Sequence, residues 1–203
     1  MTPRYWKFCA ALLLLPLLAA CGSTPPNSHY RLTAQQTLPS TVDGPALGVG
    51  PIAIPQYLAR DHLVRSDGGN ALQIASSERW AEPLEDGVTR VLSLNLAGLL
   101  DTQNIHTFPW HPDRPPEWAV KMRLMALDAG NTEAKLIAEW LLYRVEDDEP
   151  ITRRLVEYEM TLSASDAPAE EIAAAYSELL FRLSQDVASA IRSTMSETSA
   201  TAP

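Results

Sequence analysis

Between residues 118 and 162 apolar and polar positions alternate with a period of two, and between 172 and 191 apolar positions recur every three or four residues. The first pattern predicts strands over 118–127, 134–145 and 151–162, separated by Asp128-Ala129-Gly130-Asn131 and Glu146-Asp147-Asp148-Glu149-Pro150. In the middle strand Ala134, Leu136, Ala138, Trp140 and Leu142 share one face, with Lys135, Glu139, Ile137 and Leu141 on the other. Val156, Tyr158, Met160 and Leu162 match the first face, while Glu157 and Glu159 point away. That is an antiparallel meander covered on one side. The second pattern, from Ile172 through Tyr176, Leu179, Leu183 and Val187 to Ile191, predicts an amphipathic helix. Asp166, Glu170 and Glu171 suit its N-terminal dipole, and Arg192 lies near the far end.

Upstream, Leu84, Val88, Val91, Leu92 and Leu99 recur at helical spacing, so a second helix is expected, led in by 77–83, with Pro83 tolerated in its first turn. The first third reads as β-rich, with strands at 29–32, 46–54, 62–65 and 71–74. Pro55 opens a turn or short helix over 55–60, and Asp67-Gly68-Gly69-Asn70 supplies a hairpin turn. A short strand over 104–108 precedes a loop forced by His111-Pro112-Asp113-Arg114-Pro115-Pro116. The expected fold class is α+β, a largely antiparallel or mixed β-sheet with two long amphipathic helices packed on one face.

The N-terminus changes where this domain is expected to work. Arg4 and Lys7 precede an apolar run of roughly 13 residues, short of the ~20 a membrane-spanning helix needs, which is the layout of a secretory signal peptide. Leu18-Ala19-Ala20-Cys21 resembles a bacterial lipobox, which implies cleavage before Cys21 and a covalent N-acyl and S-diacylglycerol lipid on that residue. Two chains suffice for stable anchoring, since each buried methylene contributes about 0.8 kcal/mol. In enteric-type lipoproteins Asp after the lipidated cysteine favours inner-membrane retention; Gly22 here implies the outer membrane, facing the periplasm. The alternative is an ordinary secreted protein in which Cys21 is an incidental thiol, although Cys9, inside the signal, could not pair with it. The expected organisation is a signal peptide over 1–20, a lipidated tether over 21–28, a domain over 29–193 and a disordered tail over 194–203.

Signal removal takes two basic residues and no acid, so 14 basic and 25 acidic side chains leave a formal charge of −11. Such a balance argues against a nucleic-acid partner, which needs positive potential against phosphates. The four histidines form no metal-binding spacing; His106, His111 and Asp113 are the sharpest metal hypothesis, and a solvated loop is the preferred account. No Gly-x-Ser-x-Gly elbow or Walker A loop occurs, and a lipidated Cys21 offers no thiol. The residues name no catalytic group, no further cofactor and no enzyme activity.

An ordered series of short motifs runs almost the full mature length. It comprises the Cys21 lipobox, His29-Tyr30-Arg31-Leu32, Gly50-Pro51-Ile52, Pro55-x-Tyr57-Leu58-x-Arg60 and Val64-Arg65. Arg79-Trp80-Ala81-Glu82-Pro83-Leu84, Val91-Leu92-x-x-Asn95-Leu96, Glu139-Trp140 and the terminal helix complete it. With these the chain resembles the PqiC/YmbA-like family of ABC-type transport auxiliary lipoproteins of Gram-negative bacteria. Its departures are His29 where an aromatic is frequent, and Ala59 with Asp61-His62 in a variable loop. The resemblance implies an accessory or docking subunit beside an MCE-domain protein and inner-membrane permease components, in intermembrane lipid transport and envelope integrity. Alternatives are a carrier that itself holds an acyl chain between helices and sheet, and, disfavoured, an envelope hydrolase. Homo-oligomerisation would suit a ring-shaped partner.

Two readings compete for Tyr57, Leu58, Arg60, Arg79 and Trp80. Either Trp80 plugs the core while Arg79 pairs locally, or these residues form an exposed contact for the partner, where Trp, Tyr and Arg are enriched.

Overall fold

The computed structural model describes residues 26–40, 44–66 and 69–201 of the 203. The signal peptide, Cys21, most of the expected tether, and Asp67 and Gly68 of the hairpin turn lie outside the described residues. The strands are β1 (Ser28–Tyr30), β2 (Leu47–Ala53), β3 (His62–Ser66), β4 (Leu72–Trp80), β5 (Ile105–Thr107), β6 (Trp118–Ala129), β7 (Glu133–Arg144) and β8 (Glu149–Thr161). The helices are α1 (Leu84–Leu100) and α2 (Ala169–Thr201), and a 3-10 turn spans Gln56–Leu58.

The period-two segments form the expected meander: β6, β7 and β8 are antiparallel, with Met122 opposite Trp140 and Trp140 opposite Arg154. β2 is parallel to both β6 and β5, giving a mixed five-stranded sheet in the order β5-β2-β6-β7-β8. A separate three-stranded sheet, β1-β4-β3, pairs β1 with β4 in parallel and β3 with β4 antiparallel. The fold is α+β.

Both helices bury their apolar stripes against one face of the larger sheet and against each other. Val88, Val91 and Leu92 of α1 meet Leu136 and Trp140 of β7 and Ile172, Leu179, Leu183 and Val187 of α2 in one core, none more than 2 % exposed. Removing that apolar area from water, at roughly 25 cal/mol per Å², is the main driving term. It also carries α1 across Gly87 and Gly98, two residues of low helix propensity.

Two expectations are corrected. Residues 77–80 do not lead into α1; they extend β4 to Trp80. There Arg79 lies between His29 and His62, and the Trp80 N–H donates to the Asp61 carbonyl at 2.7 Å. These ladder bonds outweigh the helix-start signals of Glu82 and Pro83, and Pro83 occupies the cap position before α1. The tail was expected to be disordered from 194; α2 instead runs to Thr201. Met195 packs on the core, and the Ser193 and Thr194 hydroxyls donate to carbonyls one turn back, so polar composition alone did not end the helix.

The start of α2 carries a pH-sensitive tie. The Ser163 N–H and hydroxyl both donate to the Glu171 carboxylate at 2.6 Å, which holds its pKa below the ordinary 4.5. A depressed carboxylate contributes stability above its unfolded pKa and loses it as pH falls through the lower folded value. Ser163→Ala is therefore expected to lower the melting temperature slightly at pH 7. The difference from wild type should shrink as pH falls below about 4.5, as calorimetry across pH 3–7 would show.

Candidate functional site

The residues proposed from sequence as a partner contact come together at the junction of the two sheets, and the structure separates them by depth. Leu58 is 3 % exposed and Trp80 is 7 % exposed; both belong to the core. The Trp80 ring stacks on Tyr176 of α2, centroids 6.1 Å apart and planes 26° apart. Neither offers its side chain to a partner, so the exposed-contact reading fails for these two, for the simple reason that β4 carries Trp80 under α2. Tyr57 is half-buried, Arg79 is half-buried with an unpartnered Nε, and Arg60 is exposed.

What Tyr57 does is structural. Its hydroxyl donates to Asp128 Oδ1 at 2.7 Å, tying the 3-10 turn to the end of β6. Burial first, then the hydrogen bond to Asp128, pushes its pKa above the usual tyrosine range. Tyr176 behind it is also pushed up by burial, with the Asp128 charge adding to the effect. Arg65 of β3 closes the junction, donating to the Ala167 carbonyl at 2.6 Å and facing Glu78 at 3.5 Å. Together these contacts tie the 3-10 turn, β3 and β4 to the end of β6 and the start of α2.

His106 turns to Asn104 Oδ1 at 2.8 Å, while His111 Nδ1 faces Asp113 at 3.8 Å. Among the described residues no three metal-ligating side chains converge. No described helix is long and apolar enough to cross a membrane.

The accessible feature is the sheet face turned away from the helices. Met125 is 54 % and Leu155 68 % exposed there, with half-buried Ile137 and Leu141 between their strands. Charge ladders flank this apolar strip: Arg153 with Glu139 at 2.7 Å, and Lys135 with Glu157 at 2.8 Å and Glu159 at 2.6 Å. Pro51, Lys121, Arg123 and Leu141 help line a shallow groove of about 220 Å³ beside it. A strip of apolar side chains with a charged rim is the composition of a protein-contact surface. Ile137 and Leu141 were legible as apolar residues on the polar face of a strand. Met125 was not, because a bulge between Leu124 and Ala126 shifts the register there.

The comparisons agree with this architecture. A solved structure of an uncharacterized protein is 21 % identical, covers 82 % of this chain and 99 % of its own, and superposes with a TM-score of 0.65. A Xanthomonas campestris protein of family DUF330 is 14 % identical, covers 84 % of this chain and 99 % of its own, with a TM-score of 0.63. At these identities the likeness establishes the fold. No curated protein matches the chain. The model of the ABC-type transport auxiliary lipoprotein component matches residues 30–188, which spans both sheets and most of α2, and the chain belongs to that family.

Proposed function

We propose that this chain is a periplasmic lipoprotein, anchored in the outer membrane through lipid on Cys21, that docks an MCE-domain protein of an intermembrane lipid transport system and so supports envelope integrity. The family is one of transport components rather than enzymes. The observation that carries the reading is the uncovered face of the larger sheet, where Met125 and Leu155 stand exposed within a charged rim. Inner-membrane permease components would complete the system on the far side of the periplasm.

Carriage of an acyl chain between helices and sheet is the second reading, and the packing favours docking over it. Val91, Leu92, Leu136, Leu179 and Leu183 fill that interior with no exposed surface. A closed core leaves no room for a chain without displacing side chains.

Leu155→Asp tests the docking reading. Its side chain is exposed, so folding stability should change by no more than about 0.5 kcal/mol. Crosslinking in intact cells should recover an MCE-domain protein with the wild-type chain and about tenfold less with the variant, as for loss of an interface anchor. Equal recovery by both, or recovery of no such protein by the wild type, would overturn it.

A further inference from the structure

The free edge of the larger sheet and the C-terminal half of α2 enclose a second groove, of about 520 Å³. β8 pairs with β7 and has no strand on its other side among the described residues. Trp140 of β7 and Arg154 of β8, directly opposite in the register, both line this groove. Trp140 is 2 % exposed, and its indole Nε1 is buried without a hydrogen-bond partner. The indole therefore backs the groove without opening its N–H to it. Arg154 is exposed and has no carboxylate or other partner among the described residues.

The two walls match in length. Along α2 the lining runs from Asp186 to Glu197, about 16 Å at 1.5 Å per residue. Along β8 it runs from Ile151 to Val156, about 17 Å at 3.4 Å per residue. Tyr158 donates its hydroxyl to Asp186, which fixes that carboxylate at the Val156 end. Acidic groups thus stand at the ends of the groove, with Arg154 between them. An extended chain sets alternate side chains on one face about 7 Å apart, so three successive ones span about 14 Å of the groove.

We propose that the β8 edge receives an extended peptide segment of a partner protein as a sixth strand, with an acidic side chain of that segment seated on Arg154. Basic side chains two positions to either side face Asp186 and Glu197. Main-chain hydrogen bonds to β8 supply affinity, and this alternating charge pattern supplies specificity. Thr152, Ser189, Ser193 and Thr194 make the lining too polar for an alkyl chain. Pro150, Arg153, Glu157 and Glu159 discourage pairing between copies of the same edge. The inference uses residues distinct from Met125 and Leu155, and its test requires no transport partner, so either reading can fail without the other.

The test follows hydrogen–deuterium exchange of the purified protein with a capped Thr-Lys-Val-Glu-Val-Lys-Thr peptide, whose lysines and glutamate share a face. At millimolar peptide, the amides within 151–156 that point to the free edge should exchange about tenfold more slowly. Replacing the peptide's glutamate by lysine, or Arg154→Gln in the protein, should weaken binding about tenfold. Arg154 is exposed, so the variant keeps the core and the test does not depend on altering Trp140. Three results overturn the proposal: no protection of β8 at millimolar peptide, protection that grows with protein concentration alone and so assigns the edge to a second copy, or affinity unchanged in Arg154→Gln. Dodecyl phosphate protecting 151–156 from exchange where the peptide protects nothing would assign the groove to an amphiphile instead.

Discussion

Trp80→Ala should destabilise the protein by about 3–5 kcal/mol, the usual cost of removing a large buried aromatic. Two contributions add at this position. The indole is 7 % exposed, so its loss opens a cavity at the junction of β4, α2 and the larger sheet. It also stacks on Tyr176, a contact that contributes about 0.5–1.5 kcal/mol beyond area burial. At about 2–4 °C per kcal/mol for a domain of this size, the melting temperature falls by roughly 6–20 °C, a large share of a total stability of about 5–15 kcal/mol. Calorimetry measures it. Tyr176→Phe is the control: it keeps the ring and removes a hydroxyl that has no hydrogen bond of good geometry, so stability should hold or rise. An unchanged melting temperature in Trp80→Ala would show that β4 does not carry this side chain into the core.

Trp80 also shows where sequence and structure part. Its neighbours Glu82 and Pro83 announce a helix start, and α1 does begin at Leu84, so the local signal was true and its range was wrong. Strand β4 has half-exposed faces and little apolar alternation before Trp80, so the pairing that extends it is set by β1 and β3, far away in the chain. The long elements were legible because each repeats its period many times: α2 keeps one apolar stripe from Ile172 to Ile191, and β7 alternates buried and partly exposed positions from Ala134 to Leu142. The insertion of β2 between β5 and β6, and the division into two sheets, depend on long-range register that no local window contains.

The accessible surfaces were legible in part for the same reason. Ile137 and Leu141 appear as apolar residues on a polar face, a signal that needs only alternation. Arg154 is the converse, a charge among Thr152, Val156 and Tyr158 on the helix-facing side of β8, and alternation marks it equally well. Its meaning becomes readable only when β8 proves to be an edge strand and Trp140 proves to be its neighbour. By contrast, Tyr57, Leu58 and Trp80 drew attention by residue type, and two of the three are core. Residue type enriches for contacts, but burial decides which side of the surface they serve.

Gly98→Val should cost about 2–3 kcal/mol, and the sign of even Gly98→Ala separates two opposing effects. Replacing a mid-helix glycine by alanine gains about 0.8–1.0 kcal/mol of helix propensity. A Cβ at Gly98, however, would lie 2.5 Å from the Gln36 Cβ and 2.8 Å from the Thr37 carbonyl oxygen. The carbonyl is backbone and cannot swing aside. The segment that carries it is strapped across α1 and α2: Arg90 donates to the Leu32 carbonyl at 2.9 Å, Gln35 N–H to Asn95 at 2.8 Å and Thr33 N–H to Ser177 at 3.0 Å. Relieving the clash means lifting this strap, and overpacking of this kind costs about 1–3 kcal/mol, which exceeds the propensity gain for alanine and more so for β-branched valine. Gly87, on the same helix, meets only the Glu82 side chain, whose carboxylate Arg90 holds and whose nearest oxygen at 3.2 Å needs to give by only a few tenths of an ångström, so Gly87→Ala should be neutral or stabilise by up to about 1 kcal/mol. Urea denaturation midpoints of the three variants read the difference. A Gly98→Ala protein more stable than wild type would mean that residues 32–37 do not press on α1, and with them would go the account of how the first segment of the chain is fixed to the helical layer.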